Sequence, residues 1–257
     1  MTQSAKVVAV IPAYDEERTI RQIAAGARAH VADVIVVDDG SADGTSAALE
    51  GLPVTLLRNS SNQGKGGALW RGMQIALERG ATAIVTLDAD GQHRPQDIPR
   101  LVAAHRERPD VLVIGARLVA ARAAPRLRRF ANRFADFWIS WAAGHWVPDS
   151  QSGFRLYPAE LVRSLTVCHD RAHGFVFESE VVIEAARLGF RVLPVTVPAI
   201  YPTAARPSHF RPVADVARIV RMVAAYLITS GFCPAGLVAA MKERASILAR
   251  DSSHVRS

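Results

Sequence analysis

Ile84-Val85-Thr86-Leu87-Asp88-Ala89-Asp90-Gly91-Gln92-His93 carries an apolar run directly into two carboxylates one residue apart. The run is continuous rather than alternating, the pattern of a strand covered on both faces, as in a parallel sheet with helices on either side. In such sheets ligands collect at the carboxyl ends of the strands. Two acids at that position suit a hard divalent cation, which takes oxygen ligands and shares itself with substrate phosphates. Read alone, Asp-x-Asp after a strand fits helix capping or a solvated loop equally well, so its meaning rests on its surroundings.

The same design recurs upstream. Asp33-Val34-Ile35-Val36-Val37 leads into Asp38-Asp39-Gly40-Ser41, and Lys6-Val7-Val8-Ala9-Val10-Ile11 leads into Pro12-Ala13-Tyr14-Asp15-Glu16-Glu17. Capping, worth about 1 kcal/mol, accounts for Asp43 or Ser41, but not for adjacent Asp38 and Asp39. Two such carboxylates repel each other at a buried strand end unless a donor, such as a base or ribose, meets one of them. The apolar runs predict strands over 6–12, 33–38, 54–58, 82–88 and 111–116, and helices over 17–29, 44–50, 65–79 and 96–107. That alternation predicts an α/β fold with a Rossmann-like, mostly parallel sheet flanked by helices. The 257 residues are ample for one such domain over 1–212, with a C-terminal amphipathic helical appendage and polar tail over 213–257.

A net charge of +7, from 31 basic and 24 acidic residues, asks for an anionic partner. Its location argues against nucleic acid. Arg117, Arg122, Arg126, Arg128, Arg129 and Arg133 fall in one stretch, where Phe130, Phe134, Phe137, Trp138 and Trp141 recur three and four residues apart. A helix with arginines on one side and aromatics on the other suits peripheral contact with an anionic membrane, each cation gaining about 1 kcal/mol. The same spacing fits a helix that packs its rings on the sheet, and the two readings can coexist.

Val213 to Ile228 has helical spacing, and the apolar span from Met222 is cut by Ser230-Gly231 and Pro234. It falls short of the roughly 20 residues that cross a bilayer. A core or interfacial helix is expected there, then a loop, a second short helix and a disordered polar tail over Arg250 to Ser257. Cys168 and Cys233 are too few and too far apart for a disulfide framework or zinc site. They are expected to be buried small residues in a reducing, cytoplasmic compartment. Lys6 lies inside the first strand with no apolar run before it, so no secretory signal is expected.

Six motifs follow one another between Lys6 and Tyr201: Pro12 to Glu17; Asp38-Asp39-Gly40-Ser41 with Asp43-Gly44-Thr45; Asn62-Gln63-Gly64-Lys65-Gly66-Gly67-Ala68; Asp88 to His93; Gly115-Ala116-Arg117; and Asp149-Ser150-Gln151-Ser152-Gly153-Phe154-Arg155. With them the chain resembles the family 2 inverting glycosyltransferases of GT-A fold. Within that family it is similar to polyprenyl-phosphate sugar transferases of the dolichyl-phosphate mannose synthase type. It departs at Asp15, where the family more often has Asn, although a carboxylate still accepts from a base or ribose.

The resemblance implies a nucleotide-sugar donor, GDP- or UDP-linked, a polyprenyl-phosphate acceptor, and Mg²⁺ or Mn²⁺. Stabilising the leaving diphosphate is then the main task, and each unit-charge pair at ~4 Å contributes on the order of 4 kcal/mol at an effective dielectric near 20. Asp90 becomes the leading metal ligand, Gln92 a second, and Asp88 a contact to metal or ribose. Asp39 falls near the base, Pro12, Tyr14, Asp15 and Glu16 line the base and ribose side, and Lys65 lies beside the nucleotide. The loop around Lys65 lacks the Gly-x-x-x-x-Gly-Lys-Ser/Thr spacing of a P-loop, and its glycines also fit the start of a closely packed helix.

On the acceptor side, a phosphomonoester is already an anionic nucleophile and requires arginines more than a base. Arg117 and the Arg128-Arg129 pair are the expected phosphate clamp, since guanidinium forks match phosphate oxygens. Ser152, Gly153 and Arg155 belong to the segment that the resemblance places near the transferred sugar. Asp149 either orients a sugar hydroxyl or serves as a base if the acceptor is a hydroxyl. His209 and Arg211 are further diphosphate candidates, and Glu178 and Glu180 read equally as first-turn helix acids. The expected enzyme works peripherally on the cytoplasmic membrane face. A GT-A transferase acting on a lipid or small-molecule hydroxyl, and a non-catalytic nucleotide-sugar or anionic-lipid binding module, stand as the alternatives.

Overall fold

Each predicted strand forms close to its expected span. They are β1 (Val7–Ala13), β2 (Asp33–Asp38), β3 (Thr55–Arg58), β4 (Ala83–Thr86) and β5 (Val111–Ala116). The computed structural model describes residues 6–118, 126–166, 177–198, 200, 212–229 and 231–254, and their side chains except for 126–131, 212–216 and 248–254. Two further strands, β6 (Arg155–Pro158) and β7 (Arg191–Thr196), complete a sheet of order β3-β2-β1-β4-β6-β5-β7. β6 runs antiparallel to both β4 and β5, and the other pairings are parallel. Neither added strand has a strong local signal. β6 is four residues long and begins with an arginine, and β7 holds Pro194, which an edge strand tolerates.

The helices are α1 (Ile20–Arg28), α2 (Lys65–Glu78), α3 (Ile98–Glu107), α4 (Arg126–Ala143), α5 (Ala159–Ser164), α6 (Phe177–Arg187), α7 (Pro212–Thr229) and α8 (Pro234–His254). Successive strand residues point to opposite faces, and here both faces are covered. Val8, Val10, Ile35, Val37, Ile84, Leu112 and Ile114 enter one core with α2, α4, α6 and α7. Val7, Ala9, Ile11, Val34, Val36, Val85 and Val113 enter a second core with α1 and α3. This is the physical basis of the continuous apolar runs. On α7, Ile219, Val223 and Leu227 recur every fourth residue and join Ala135, Ile139 and Ala142 of α4 in the first core.

Several expectations are corrected. The helix expected over 44–50 is only a 3-10 turn at Ala47–Leu49. Thr45 and Ser46 turn their hydroxyls to Asp43 and Asp38, local bonds that compete with helix formation. α8 runs through His254 in place of a short helix and a polar tail. Cys233 is exposed rather than buried, and Cys168 lies outside the described residues. On α4 the aromatic stripe divides. Trp138 and Trp141 stack at 5.3 Å and pack on the core, whereas Phe134 and Phe137 remain 36% and 40% exposed.

Candidate active site

The antiparallel insertion of β6 builds the site. Thr86 at the end of β4 pairs with Arg155 at the start of β6, and Ile114 of β5 pairs with the same Arg155. The loop after β4, the loop after β5 and the segment before β6 therefore converge at one edge of the sheet. Ser152 ties them together by donating from Oγ to the Gly115 carbonyl at 2.7 Å, and Thr86 Oγ1 donates to the Gly153 carbonyl at 2.7 Å. Gly153 lies against Asp88, and a Cβ there would fall 2.5 Å from Asp88 Oδ2.

Asp88 is paired with a lysine. Lys65 Nζ lies 2.6 Å from Asp88 Oδ1 and 2.7 Å from Glu178 Oε1. Lys65 opens α2, and Glu178 is in the first turn of α6. Gly66 allows this approach, because a Cβ there would fall 2.9 Å from Cβ of Phe177. The close-packing reading of the glycine loop therefore holds. Burial alone lowers the Lys65 ammonium, but Asp88 and Glu178 outweigh it and leave it raised. Burial pushes Asp88 up, and the Lys65 ammonium, helped by Arg117, more than reverses this, holding its carboxyl below the usual range.

Asp90 behaves in the opposite way. Burial, then the neighbouring Asp88, pushes its carboxyl up. Its Oδ1 accepts from the Gln92 backbone N–H at 3.0 Å, and its Oδ2 from Gln92 Nε2 at 2.8 Å. His93 is buried beside these groups, its ring 5.4 Å from that of Phe154. Burial, then Arg117, lowers it to about 4, so it stays neutral at physiological pH, and Nδ1 has no hydrogen-bond partner among the described residues.

Among the described residues no cluster of three His, Cys, Asp or Glu side chains is arranged to hold a metal ion. The donors present nevertheless fit an open cation site. Asp90 is a carboxylate whose charge is poorly compensated, and the Gln92 side chain beside it can turn its oxygen toward the same point. Two protein oxygens with the remainder supplied by phosphate and water is the usual arrangement for Mg²⁺.

Arg117 and Asp149 form the third part. The Asp149 carboxylate accepts from Arg117 backbone N at 2.9 Å, from Nε at 2.8 Å and from Nη2 at 2.8 Å. Burial raises the Asp149 carboxyl, and the guanidinium overcomes this and holds it low. Asp149 adopts a left-handed φ of 49°, which Asp tolerates better than most residues. A carboxylate so engaged orients the guanidinium and is poorly suited to take a proton.

Arg155 was expected on the acceptor side, and the structure corrects this. It is wholly buried, donating from Nε to the Ser152 carbonyl at 2.8 Å, from Nη1 to Glu178 at 2.7 Å and from Nη2 to Ser150 at 2.6 Å. Ser152 is buried too, with its hydroxyl spent on Gly115. The polar atoms of both residues are turned to backbone carbonyls of the loop and of α6. The side chains of Arg128 and Arg129, and residues His209 and Arg211, lie outside the described residues.

The ends of β1 and β2 form a neighbouring polar surface. Asp38 and Asp39 do not need a ligand to separate their charges. Asp38 accepts from Ser41 N at 2.8 Å and from Ser46 Oγ, with Arg58 Nε at 3.6 Å. Asp39 Oδ1 accepts from Asn59 Nδ2 at 2.6 Å and from Gln63 N at 2.8 Å. Among the described residues Oδ2 of Asp39 receives no hydrogen bond. A shallow hollow nearby is lined by Gly40, Ser41, Arg58, Asn59 and Ser60.

Asp15, at φ 55°, accepts from Ala42 N at 2.9 Å and donates its own N–H to Ser41 Oγ at 2.9 Å. Asn and Asp are the residues enriched at such a φ. Glu16 N donates to Thr45 Oγ1 at 2.7 Å. Pro12 lies within β1 opposite Val37, and Tyr14 is half-buried just beyond it. Arg58 and Asn59 were missed by the sequence reading, their only signal being their place at the end of a predicted strand.

The model of glycosyl transferase family 2 matches residues 8–166. The chain belongs to this family. This glycosyltransferase is 32% identical over 202 residues to an undecaprenyl-phosphate mannosyltransferase of Micrococcus luteus, covering 75% of this chain and 82% of the relative. It is 30% identical over 205 residues to a polyprenol monophosphomannose synthase of Mycolicibacterium smegmatis, covering 75% and 76%. A UDP-N-acetylglucosamine–dolichyl-phosphate N-acetylglucosaminyltransferase of Methanococcus voltae is 30% identical over 213 residues, covering 75% and 84%. The solved structure of glucosyl-3-phosphoglycerate synthase from Mycobacterium tuberculosis with Mn²⁺, UDP-glucose and phosphoglyceric acid superposes with a TM-score of 0.63. It is 23% identical, covers 87% of this chain and 78% of its own, and establishes the GT-A architecture of this glycosyltransferase.

Proposed function

We propose that this glycosyltransferase moves one sugar, with inversion and with help from a divalent cation, from a nucleotide sugar to a polyprenyl phosphate on the cytoplasmic membrane face. The observation that carries the acceptor is the three-point seat of Asp149 on Arg117. A hydroxyl acceptor needs a general base, and the carboxylate best placed to be one is held ionised and fully occupied. A phosphate acceptor needs no base and is drawn to a fixed guanidinium. The names of the relatives point the same way.

Asp39 Oδ2, which receives no hydrogen bond among the described residues, is suited to accept an N–H from the donor base. Asp90 and Gln92 would hold the cation, which when bound supplies positive charge to the leaving diphosphate. Asp149 takes the Nε–Nη2 edge of Arg117 and so fixes the plane of its guanidinium, and neutral His93 adds no competing charge next to the carboxylates.

Peripheral membrane binding is supported by exposed apolar side chains on α4 and around the α7–α8 turn: Phe134, Phe137, Ile228, Phe232, Val238 and Met241. Trp141 Nε1 donates to the Phe232 carbonyl at 3.0 Å, which joins the two regions into one surface. Among the described residues no helix is long and apolar enough to cross a membrane.

The test is nucleoside diphosphate release from a panel of UDP- and GDP-sugars, with and without Mg²⁺ or Mn²⁺, and with and without a short polyprenyl phosphate. Release that needs both metal and lipid phosphate is expected. Equal release without lipid phosphate would move the acceptor to a hydroxyl, and no release with any donor would leave a binding module.

A further inference from the structure

Asp88, just after β4, and Glu178, in the first turn of α6, are far apart in the chain and are bridged by one ammonium, Lys65 Nζ, at 2.6 and 2.7 Å. The two acceptor oxygens therefore lie at most about 5.3 Å apart, and the lysine neutralises a pair that would otherwise repel. The bridge is sheltered, with Lys65 and Asp88 side chains 24% and 23% exposed and Glu178 at 6%. Each partner is fixed from behind. Gly153 leaves Asp88 no room to move back, and the Glu178 backbone is pinned by Arg155. Asp90, two residues on, has Gln92 as its partner.

We infer that Lys65 is a built-in cation that keeps Asp88 from ligating a divalent ion, so that the ion is held by Asp90 and Gln92 and binds tightly only when a nucleoside diphosphate completes its shell. Lys65 is thus a positioning residue that couples metal binding to donor binding. Without it, Asp88 and Asp90 together would form a two-carboxylate site able to capture metal before the donor arrives, and Glu178 would add a third negative charge nearby. This inference rests on the metal-dependent reading proposed above.

The experiment is Mn²⁺ binding to the full chain, read from the electron paramagnetic resonance of the free ion, with Mn²⁺ alone and with Mn²⁺ plus UDP or GDP. Wild type is expected to bind Mn²⁺ at least ten-fold more tightly with one of the nucleotides. Lys65→Met is expected to bind Mn²⁺ alone at least ten-fold more tightly than wild type, and the gain should vanish in Lys65→Met/Asp88→Asn.

A second comparison does not depend on Lys65→Met folding. In the nucleotide complex, Asp88→Asn should change Mn²⁺ affinity less than two-fold, while Asp90→Asn should reduce it at least ten-fold. If Asp88→Asn and Asp90→Asn lose affinity equally, or if folded Lys65→Met shows no gain, the inference is overturned and the metal reading survives. If wild type binds no Mn²⁺ with either nucleotide, or Asp90→Asn binds it normally, the metal assignment itself falls and takes the inference with it.

Discussion

Gly153 and Asp88 are in contact: the Cβ that Gly153 lacks would fall 2.5 Å from Asp88 Oδ2 and 2.6 Å from Oδ1. The carboxylate therefore rests on bare backbone, with Lys65 on its other side. Gly153→Ala should push Asp88 out of its seat and cost about 100-fold in kcat/KM, about 2.7 kcal/mol of transition-state stabilisation. The rest of the sheet is untouched, so the melting temperature should fall only by a few degrees. Steady-state kinetics beside a thermal melt separates the two, and full activity in Gly153→Ala would show that the seat of Asp88 is unimportant.

The Arg117–Asp149 pair makes a different prediction. Asp149→Asn keeps the shape and removes the charge that orients the guanidinium. For a phosphate acceptor the expected loss is about 10- to 100-fold in kcat/KM, about 1.4–2.7 kcal/mol, carried largely by the acceptor KM. The pH profile should keep its form, because no proton passes to Asp149. Loss of an acidic limb from the kcat profile in Asp149→Asn would instead identify it as the base of a hydroxyl transfer.

His145 gives a pH dependence of stability. It is buried, its Nδ1 lies 3.0 Å from the Ala143 carbonyl, and its Nε2 accepts from Val192 N at 3.1 Å. Burial, then Arg191, lowers its pKa below the usual 6.5. The folded value lies below the unfolded one, so its contribution is present above about pH 6.5 and is lost as pH falls below that. Over the window between the two values one proton is taken up on unfolding, a slope of about 1.4 kcal/mol per pH unit. His93 and His105 are shifted in the same direction and add to it. Denaturant titrations at pH 7.5 and 5.5 should show wild type losing more stability on acidification than His145→Gln. Equal losses would remove His145 from the account.

Peripheral binding is testable through the exposed rings. Phe134→Ser with Phe137→Ser removes apolar surface that is 36% and 40% exposed, on rings that meet Trp138 and Trp141 edge-on at the rim of the core. Co-sedimentation with vesicles containing anionic lipid should fall several-fold, at a temperature where a thermal melt shows the double variant still folded. Raising the salt concentration should weaken wild-type binding, since attraction between the basic chain and anionic headgroups is screened. Unchanged sedimentation in the double variant would point to another surface.

What the chain reveals locally is the part of the fold that repeats. Five apolar runs, three of them leading into acids, define the parallel strands and their loops, because strand period and turn chemistry are written in neighbouring residues. Acids at 15, 16, 38, 39, 88 and 90 therefore all come to one sheet edge. The added strands escape this reading. β6 is too short for a periodic signal, and its antiparallel insertion is a property of pairing with β4 and β5.

The roles within the site follow from that pairing. Ser152 and Arg155 sit in a motif that reads as ligand-facing, yet their polar atoms close on carbonyls of Gly115, Ser150, Ser152 and Glu178. A fully buried guanidinium must find acceptors inside the protein, and only the folded chain supplies them. Asp38 and Asp39 likewise find donors in Ser41, Ser46, Asn59 and Gln63. Sequence alone determined which residue types stand at the strand ends. The tertiary structure decided which of them pair with one another, as Lys65 does with Asp88 and Glu178, because charges remote in the chain are matched only when helices and strands bring them within ångströms.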